Sequence, residues 1–358
     1  MSAISGPRLH RLGTHRVLEP RGAMPQAAWR LDNTPAVLDN EILCDVETLN
    51  IDSASFKQIA DACERNAERI AAHILGIVNE RGKQHNPVTG SGGMFIGSIA
   101  EIGDVLREKV DLKPGDRIAS LVSLSLTPLH IETIARVDIA TGRVWIRGKA
   151  ILFQSGVWAK LPPDIDENVA LAVLDVAGAP AQVKRLCKPG QTVVVIGAGG
   201  KSGMLSCAEA RRQVGPEGHV IGVVPHPESE SAQLILRDHL VDTLVRADAR
   251  DALELSERVA AAVPDLADVT INCVNVPGTE MASILSTKDD GIVYFFSMST
   301  SFTGAALGAE GVGRDVTMII GNGYAKDHAQ TALQTLRDHP HLHEYFNAKY
   351  ASSTRNQP

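Results

Sequence analysis

The residues of this chain best suited to chemistry are a glycine run with one lysine and one serine, Gly197-Ala198-Gly199-Gly200-Lys201-Ser202-Gly203. The β-branched stretch Thr192–Ile196 leads into the run and a helical pattern, Gly203–Val214, leads out of it. Such a junction suits a pyrophosphate. The turn is too tight for a Cβ, the bare backbone admits phosphate oxygens, and the first helical N–H groups face the anion with the positive end of the helix dipole. The pattern is G-x-G-G-x-x-G rather than the strict G-x-G-x-x-G, with Ser202 where the strict form has its last glycine. A second strand, Val220–Val224, follows about twenty residues on, and this context makes the motif specific for a dinucleotide. NAD or NADP is the expected cofactor, held by Gly197, Gly199, Gly200, Lys201, Ser202 and Gly203.

The choice between NAD and NADP stays open in the sequence. An acid at the end of the second strand would hold the ribose 2′-hydroxyl of NAD, and a nearby arginine would accept the 2′-phosphate of NADP. Here that strand ends Val224-Pro225-His226, and His226 is the side chain placed to meet a 2′-phosphate. Ligands of open α/β sheets bind at the carboxyl ends of strands. That rule adds Asn275, Ser297 and Asn322, which follow the apolar runs Val269–Val274, Ile292–Phe296 and Val316–Ile320.

These residues need a scaffold. Beyond Lys160-Leu-Pro-Pro-Asp164, apolar strands alternate with helical patterns at Ala170–Leu186, Ser229–His239 and Ala252–Val263. Continuous apolar strands between helices predict a parallel sheet covered on both faces. Before that point the chain reads as strands and turns, Ile42–Glu47 and Asp116–Val122 among them, with one helix over Ser55–Arg81. Two domains suit 358 residues, and the boundary is expected near residue 165.

Composition narrows the class. A formal net charge of −7 offers no basic surface for nucleic acid or anionic lipid. No apolar run reaches the roughly 20 residues of a membrane span. The five cysteines are scattered without a C-x-x-C pair, which argues against a disulfide framework or a zinc knuckle and for the cytoplasm. The histidines at 339, 341 and 343 read as a solvated segment rather than a metal tract.

Leu112-Lys-Pro-Gly-Asp-Arg-Ile118 and Gly97-Ser-Ile-Ala-Glu-Ile-Gly103, with the glycine loop, resemble the medium-chain dehydrogenase/reductase superfamily. Further blocks resemble one family within it, the L-erythro-3,5-diaminohexanoate dehydrogenases of lysine fermentation. They are Gly13–Pro20, Glu47–Ser55, Arg81–Gly93, Leu174–Ala181 and Gly197–Met204. The resemblance implies an α/β chain with a GroES-like, barrel-type catalytic domain over 1–165 and a doubly wound Rossmann domain over 166–324. It implies that residues 325–358 return to the first domain, and a homodimer. It also implies NAD(P)-dependent oxidative deamination of the diamino acid. Where zinc enzymes of the superfamily place a cysteine, this chain reads Leu49-Asn-Ile-Asp-Ser53, and their Gly-His-Glu aligns with Gly92-Gly93-Met94. No metal is therefore expected.

Oxidising an amine requires a base to take a proton from the ammonium and to activate the water that attacks the iminium. A diamino acid also requires carboxylates for its amines and a cation for its carboxylate. Glu47, Asp52, His85 and Asp175 are the candidate catalytic residues, Asp175 as a buried acid with a raised pKa. Asn50, Ser53, Arg81, Lys83 and Asn86 are the candidate substrate contacts, with Lys83 or Arg81 for the carboxylate. Asp52 and Ser53 would equally serve as a helix cap. Two other functions use the same features, a zinc-free NADPH-dependent reductase of an enone or quinone and a nucleotide-binding protein without catalysis.

Overall fold

The computed structural model describes residues 9–297, 299–321 and 323–351, with the backbone alone at 53 and 54. The chain forms two compact units that divide between Pro162 and Pro163.

The first unit contains the strands β1 (Val17–Glu19), β2 (Arg30–Leu31) and β3 (Glu41–Asn50). Helices α1 (Ser53–Ala62) and α2 (Ala67–Arg81) follow, then β4 (Met94–Ile102), β5 (Arg117–Ser120), β6 (Leu129–Asp138), β7 (Arg143–Phe153) and β8 (Trp158–Lys160). Six of these strands form an antiparallel sheet in the order β6-β7-β3-β4-β5-β8. Its core joins Cys44, Val46 and Leu49 of β3 to Ile70, Ile74 and Val78 of α2 and to Phe95 and Ile99 of β4. The apolar spacing that predicts one helix over Ser55–Arg81 runs in phase through a break. Glu64 and Arg65 both take a left-handed backbone at φ 54°, which ends α1. The Asn66 side chain then accepts from Arg69 N at 3.0 Å and restarts the chain as α2.

The second unit begins with α3 (Glu167–Leu174) and α4 (Gly178–Leu186), where one helix was expected. Pro180 is the cause. It has no N–H to give the Val176 carbonyl and its ring would clash there, whereas the first turn of a new helix tolerates it. Then come β9 (Thr192–Ile196), α5 (Lys201–Val214), β10 (His219–Val224), α6 (Glu230–Arg237), β11 (Thr243–Arg246), α7 (Ala252–Ala262), β12 (Ala267–Asn272), α8 (Glu280–Leu285), β13 (Thr287–Phe295), α9 (Phe302–Val312) and β14 (Val316–Ile320). The sheet order is β11-β10-β9-β12-β13-β14 and every pair is parallel. In chain order that is 3-2-1-4-5-6, the Rossmann arrangement, with its switch point between β9 and β12.

The last helices, α10 (His328–Asp338) and α11 (Pro340–Tyr350), differ from expectation. They lie in the second unit, α10 against α3, α4 and α5, and α11 against α3 and α6. Their apolar residues Leu336, Leu342 and Phe346 are buried there, which gives this segment its own place to hide hydrophobic surface.

Candidate active site

The glycine loop has the geometry its spacing implies. Gly197 turns the chain off β9 at φ 83°. Gly203 lets α5 press on that turn, since a Cβ there would stand 2.1 Å from the Gly197 carbonyl oxygen and 2.8 Å from Ala198 Cα. Gly199 faces Ser231, whose Oγ would be 3.0 Å from a Cβ. Gly200 differs from these three. A Cβ on it would meet only the Gly197 carbonyl oxygen, at 3.5 Å. The face of the loop at the start of α5 is therefore open to an incoming phosphate, and the donor set fits the diphosphate of a dinucleotide. Ser202 is buried.

Lys201 opens α5, and its Nζ lies 2.8 Å from Asp175 Oδ2. Asp175 follows the last turn of α3, and its carboxylate is partly exposed in an ion pair. The expectation of a buried acid fails because the apolar pattern around Asp175 continues through a helix end, where a side chain can turn to solvent.

At the carboxyl edge of the sheet, Asn275 Oδ1 accepts from Ser297 Oγ at 3.4 Å and from Ser299 Oγ at 3.0 Å. The structure thus brings two of the predicted edge residues together. Asn322 lies outside the described residues. Sequence reasoning passed over Tyr294, the last residue but one of β13. Its ring is fully buried, its hydroxyl has no hydrogen-bond partner among the described residues, and a Cβ on Gly321 would stand 2.7 Å from that oxygen. At the end of β10, His226 is exposed and its Nδ1 lies 3.4 Å from Glu228 Oε1. Arg246 of β11 sits beside Val224 in register. A backbone hydrogen bond, His226 and Arg246 together hold the Glu228 carboxyl below its usual range.

In the first unit, two loops carry the predicted polar residues and are fastened to each other. Asp52 caps α1, with Oδ1 accepting from Ser55 N at 3.0 Å, while its buried Oδ2 has no hydrogen-bond partner among the described residues. Ser55 Oγ and Thr89 Oγ1 are 2.5 Å apart, and Asn86 Nδ2 donates to Gln58 Oε1 at 2.8 Å and to the Ser55 carbonyl at 3.3 Å. Gly93 permits the approach at φ 92°, since a Cβ there would stand 2.1 Å from the Asn50 carbonyl oxygen. Asn50 ends β3 at this junction. The Ser53 side chain lies outside the described residues.

Three expectations change here. Glu47, expected to be catalytic, lies within β3, and its exposed carboxylate pairs with Arg117 at 2.8 Å. Lys83 is fully buried, and its ammonium donates to the backbone carbonyls of Pro25 at 2.7 Å and Gln26 at 3.2 Å. Arg81 donates to the carbonyls of His85 at 2.9 Å and Trp29 at 3.3 Å and stacks on the Trp29 ring at 4.1 Å. Both cations are engaged by the backbone in place of a substrate carboxylate. Sequence shows that a lysine is present but not whether carbonyls will surround it.

Their charges act on His85. Burial, Lys83 and Arg81 push its pKa down to about 4, so the ring is neutral at physiological pH, and its buried Nδ1 has no partner among the described residues. Burial and Arg81 bring Lys83 down to about 8. Gln84, between them, is fully buried with both amide atoms unpartnered among the described residues, and no sequence pattern marks it.

Residues 15–162 match the family described as L-erythro-3,5-diaminohexanoate dehydrogenase N-terminal domain. The chain is 54% identical to the L-erythro-3,5-diaminohexanoate dehydrogenase of Acetoanaerobium sticklandii over 339 residues, 94% of this chain and 98% of that one. The same identity and coverage hold for the enzyme of that name from Fusobacterium nucleatum subsp. nucleatum. Among solved structures, a mycobacterial protein complexed with NADPH is 16% identical, with 88% of this chain and 82% of that one covered at a TM-score of 0.53. At that identity the likeness concerns the fold alone.

Proposed function

The chain belongs to the L-erythro-3,5-diaminohexanoate dehydrogenase family, and we infer from this membership that it catalyses the oxidative deamination of L-erythro-3,5-diaminohexanoate. The diamino acid, oxidised nicotinamide cofactor and water give 5-amino-3-oxohexanoate, ammonium, reduced cofactor and a proton. The observation that carries this reading is identity of 54% sustained over 94% of the chain. The open Gly200 face supports it as a seat for the cofactor diphosphate. When bound, the nicotinamide supplies the hydride acceptor. Appearance of reduced cofactor and ammonium in equal amounts from the diamino acid tests the reaction. The enone or quinone reductase reading has likeness of fold alone behind it.

For proton transfer we propose Asp52 and His85. Among the described residues, Asp52 has one oxygen without a hydrogen bond while the other caps α1, and neutral His85 has one ring nitrogen without a partner. Asn50, at the end of β3 beside Asp52, is proposed as a substrate contact, whereas Asn86 is fully buried with its amide bonded to Gln58, Ser55, Val88 and Thr89 and serves to clamp the loop. Asp52→Asn and His85→Asn, made singly, are each expected to lower kcat by about a hundredfold or more. Unchanged kcat in both would move proton transfer to other groups.

For the cofactor we propose NAD. A 2′-phosphate needs cationic charge that is not already matched. Here Glu228 stands with both His226 and Arg246 and offers an acceptor to a ribose hydroxyl.

We further propose a homodimer in the cytoplasm. β14 is the edge strand of its sheet, and Val316-Thr-Met-Ile-Ile320 carries no charge or proline to blunt pairing. Phe302, Leu307 and Val312 are exposed on the neighbouring α9, an apolar surface suited to a symmetric contact. The five free cysteines suit a reducing compartment. Light scattering on the wild type and on Met318→Lys tests the dimer, since a lysine at the edge should yield monomer.

A further inference from the structure

The ion pair between Lys201 and Asp175 has a consequence for the cofactor. Cα–Cβ bonds of a helix tilt toward its N-terminus. A side chain on the first residue of α5 therefore runs back past the helix start, to the side where a diphosphate meets the free N–H groups. An unrestrained lysine would contribute little there, because fixing its four-carbon stem costs rotamer entropy. Asp175 removes that freedom. Its backbone is fixed by a hydrogen bond from its N–H to the Leu171 carbonyl at 2.9 Å, and its Oδ2 holds Lys201 Nζ at 2.8 Å. The Tyr350 ring of α11 stands 5.9 Å from the same nitrogen. The side chain of Lys201 nevertheless keeps 31% of its surface exposed, so the ammonium stays within reach of a ligand.

We propose that Asp175 is a positioning residue for the cofactor: acting through Lys201, it fixes an ammonium beside the open Gly200 face to receive the dinucleotide diphosphate. The proposal rests on the reading that this loop cradles the cofactor. Its electrostatics carry a distinctive sign. A carboxylate near a diphosphate is favourable only while the lysine stands between them, and without the lysine it repels.

Titration calorimetry on the full chain with NAD+, ADP-ribose and adenosine tests this. Lys201→Met removes the cation and leaves the bare carboxylate, and it should weaken NAD+ and ADP-ribose by about tenfold or more. Asp175→Asn should weaken both by severalfold, with the loss on cofactor KM rather than kcat, and Asp175→Glu should restore most of it. The double variant Asp175→Asn/Lys201→Met should bind better than Lys201→Met alone, because the repulsion is gone. Adenosine, which has no diphosphate, should bind all variants alike. Wild-type affinity in Asp175→Asn, or a double variant weaker than Lys201→Met, would overturn the positioning role and leave the loop as the cofactor site. Failure of the wild-type chain to bind ADP-ribose would overturn both.

Discussion

The Lys83 ammonium lies 2.7 Å from the carbonyl oxygen of Pro25, fully buried, and reaches the Gln26 carbonyl as well. Arg81 does the same for Trp29, and Gln26 Nε2 donates across to the Gly90 carbonyl at 3.4 Å. Two cations suited by type to a substrate carboxylate instead strap residues 25–29 onto the loop that carries His85 and Asn86. The loop is thus held from behind, and burial, together with the charges that hold it, keeps His85 neutral.

Lys83→Met therefore acts first on stability. Losing charge-assisted hydrogen bonds to two carbonyls, offset by relief of a buried charge, should destabilise by about 2 kcal/mol. Urea unfolding reads this directly. A variant with full stability and a raised KM for the diamino acid alone would make Lys83 a substrate ligand.

His85 gives stability a defined pH dependence. Its pKa is about 4 in the folded chain against an ordinary 6.5. Between those values the unfolded chain binds a proton that the folded chain does not, so stability falls as pH drops from 6.5 towards 4. His85→Asn should flatten that part of the profile of thermal midpoint against pH. An unchanged slope in the variant would assign the acid sensitivity to other groups.

The glycines of the phosphate loop separate folding from binding. Gly203→Ala places a Cβ 2.1 Å from the Gly197 carbonyl and should disrupt the strand–helix junction, lowering stability by several kcal/mol. Gly200→Ala meets nothing closer than 3.5 Å, so the chain should fold and lose cofactor affinity by about tenfold or more. Equal stability losses in the two variants would show that the Gly200 face is not open.

The NAD preference turns on Glu228. Glu228→Gln leaves His226 and Arg246 without their counter-charge, and the ratio of kcat/KM for NADP over NAD should rise by about tenfold. A ratio that stays constant would place the ribose on other residues.

The second unit was largely legible in the sequence. Thr192–Ile196 and Val316–Ile320 are strands at the expected residues, because β-branched runs bounded by turns have few other fates. The glycine loop was equally legible, since its spacing is dictated by close backbone approach. Helix interruptions were harder to read. The break at Glu64–Arg65 depends on left-handed residues that carry no glycine signal, and the one after Asp175 on a proline three residues into the next helix. Least legible were the side-chain partners. Lys83, Glu47 and Asp175 had chemistry in their residue types, but their neighbours come from segments up to 70 residues away and appear only once the chain is folded.

The central claim is tested most directly by supplying the purified chain with L-erythro-3,5-diaminohexanoate and NAD+ and following reduced cofactor and ammonium together. Both should appear at the same rate and in equal amounts, and NADPH should not be consumed when an enone or quinone is offered instead. No turnover of the diamino acid with either NAD+ or NADP+, beside brisk oxidation of NADPH by the enone, would contradict the account.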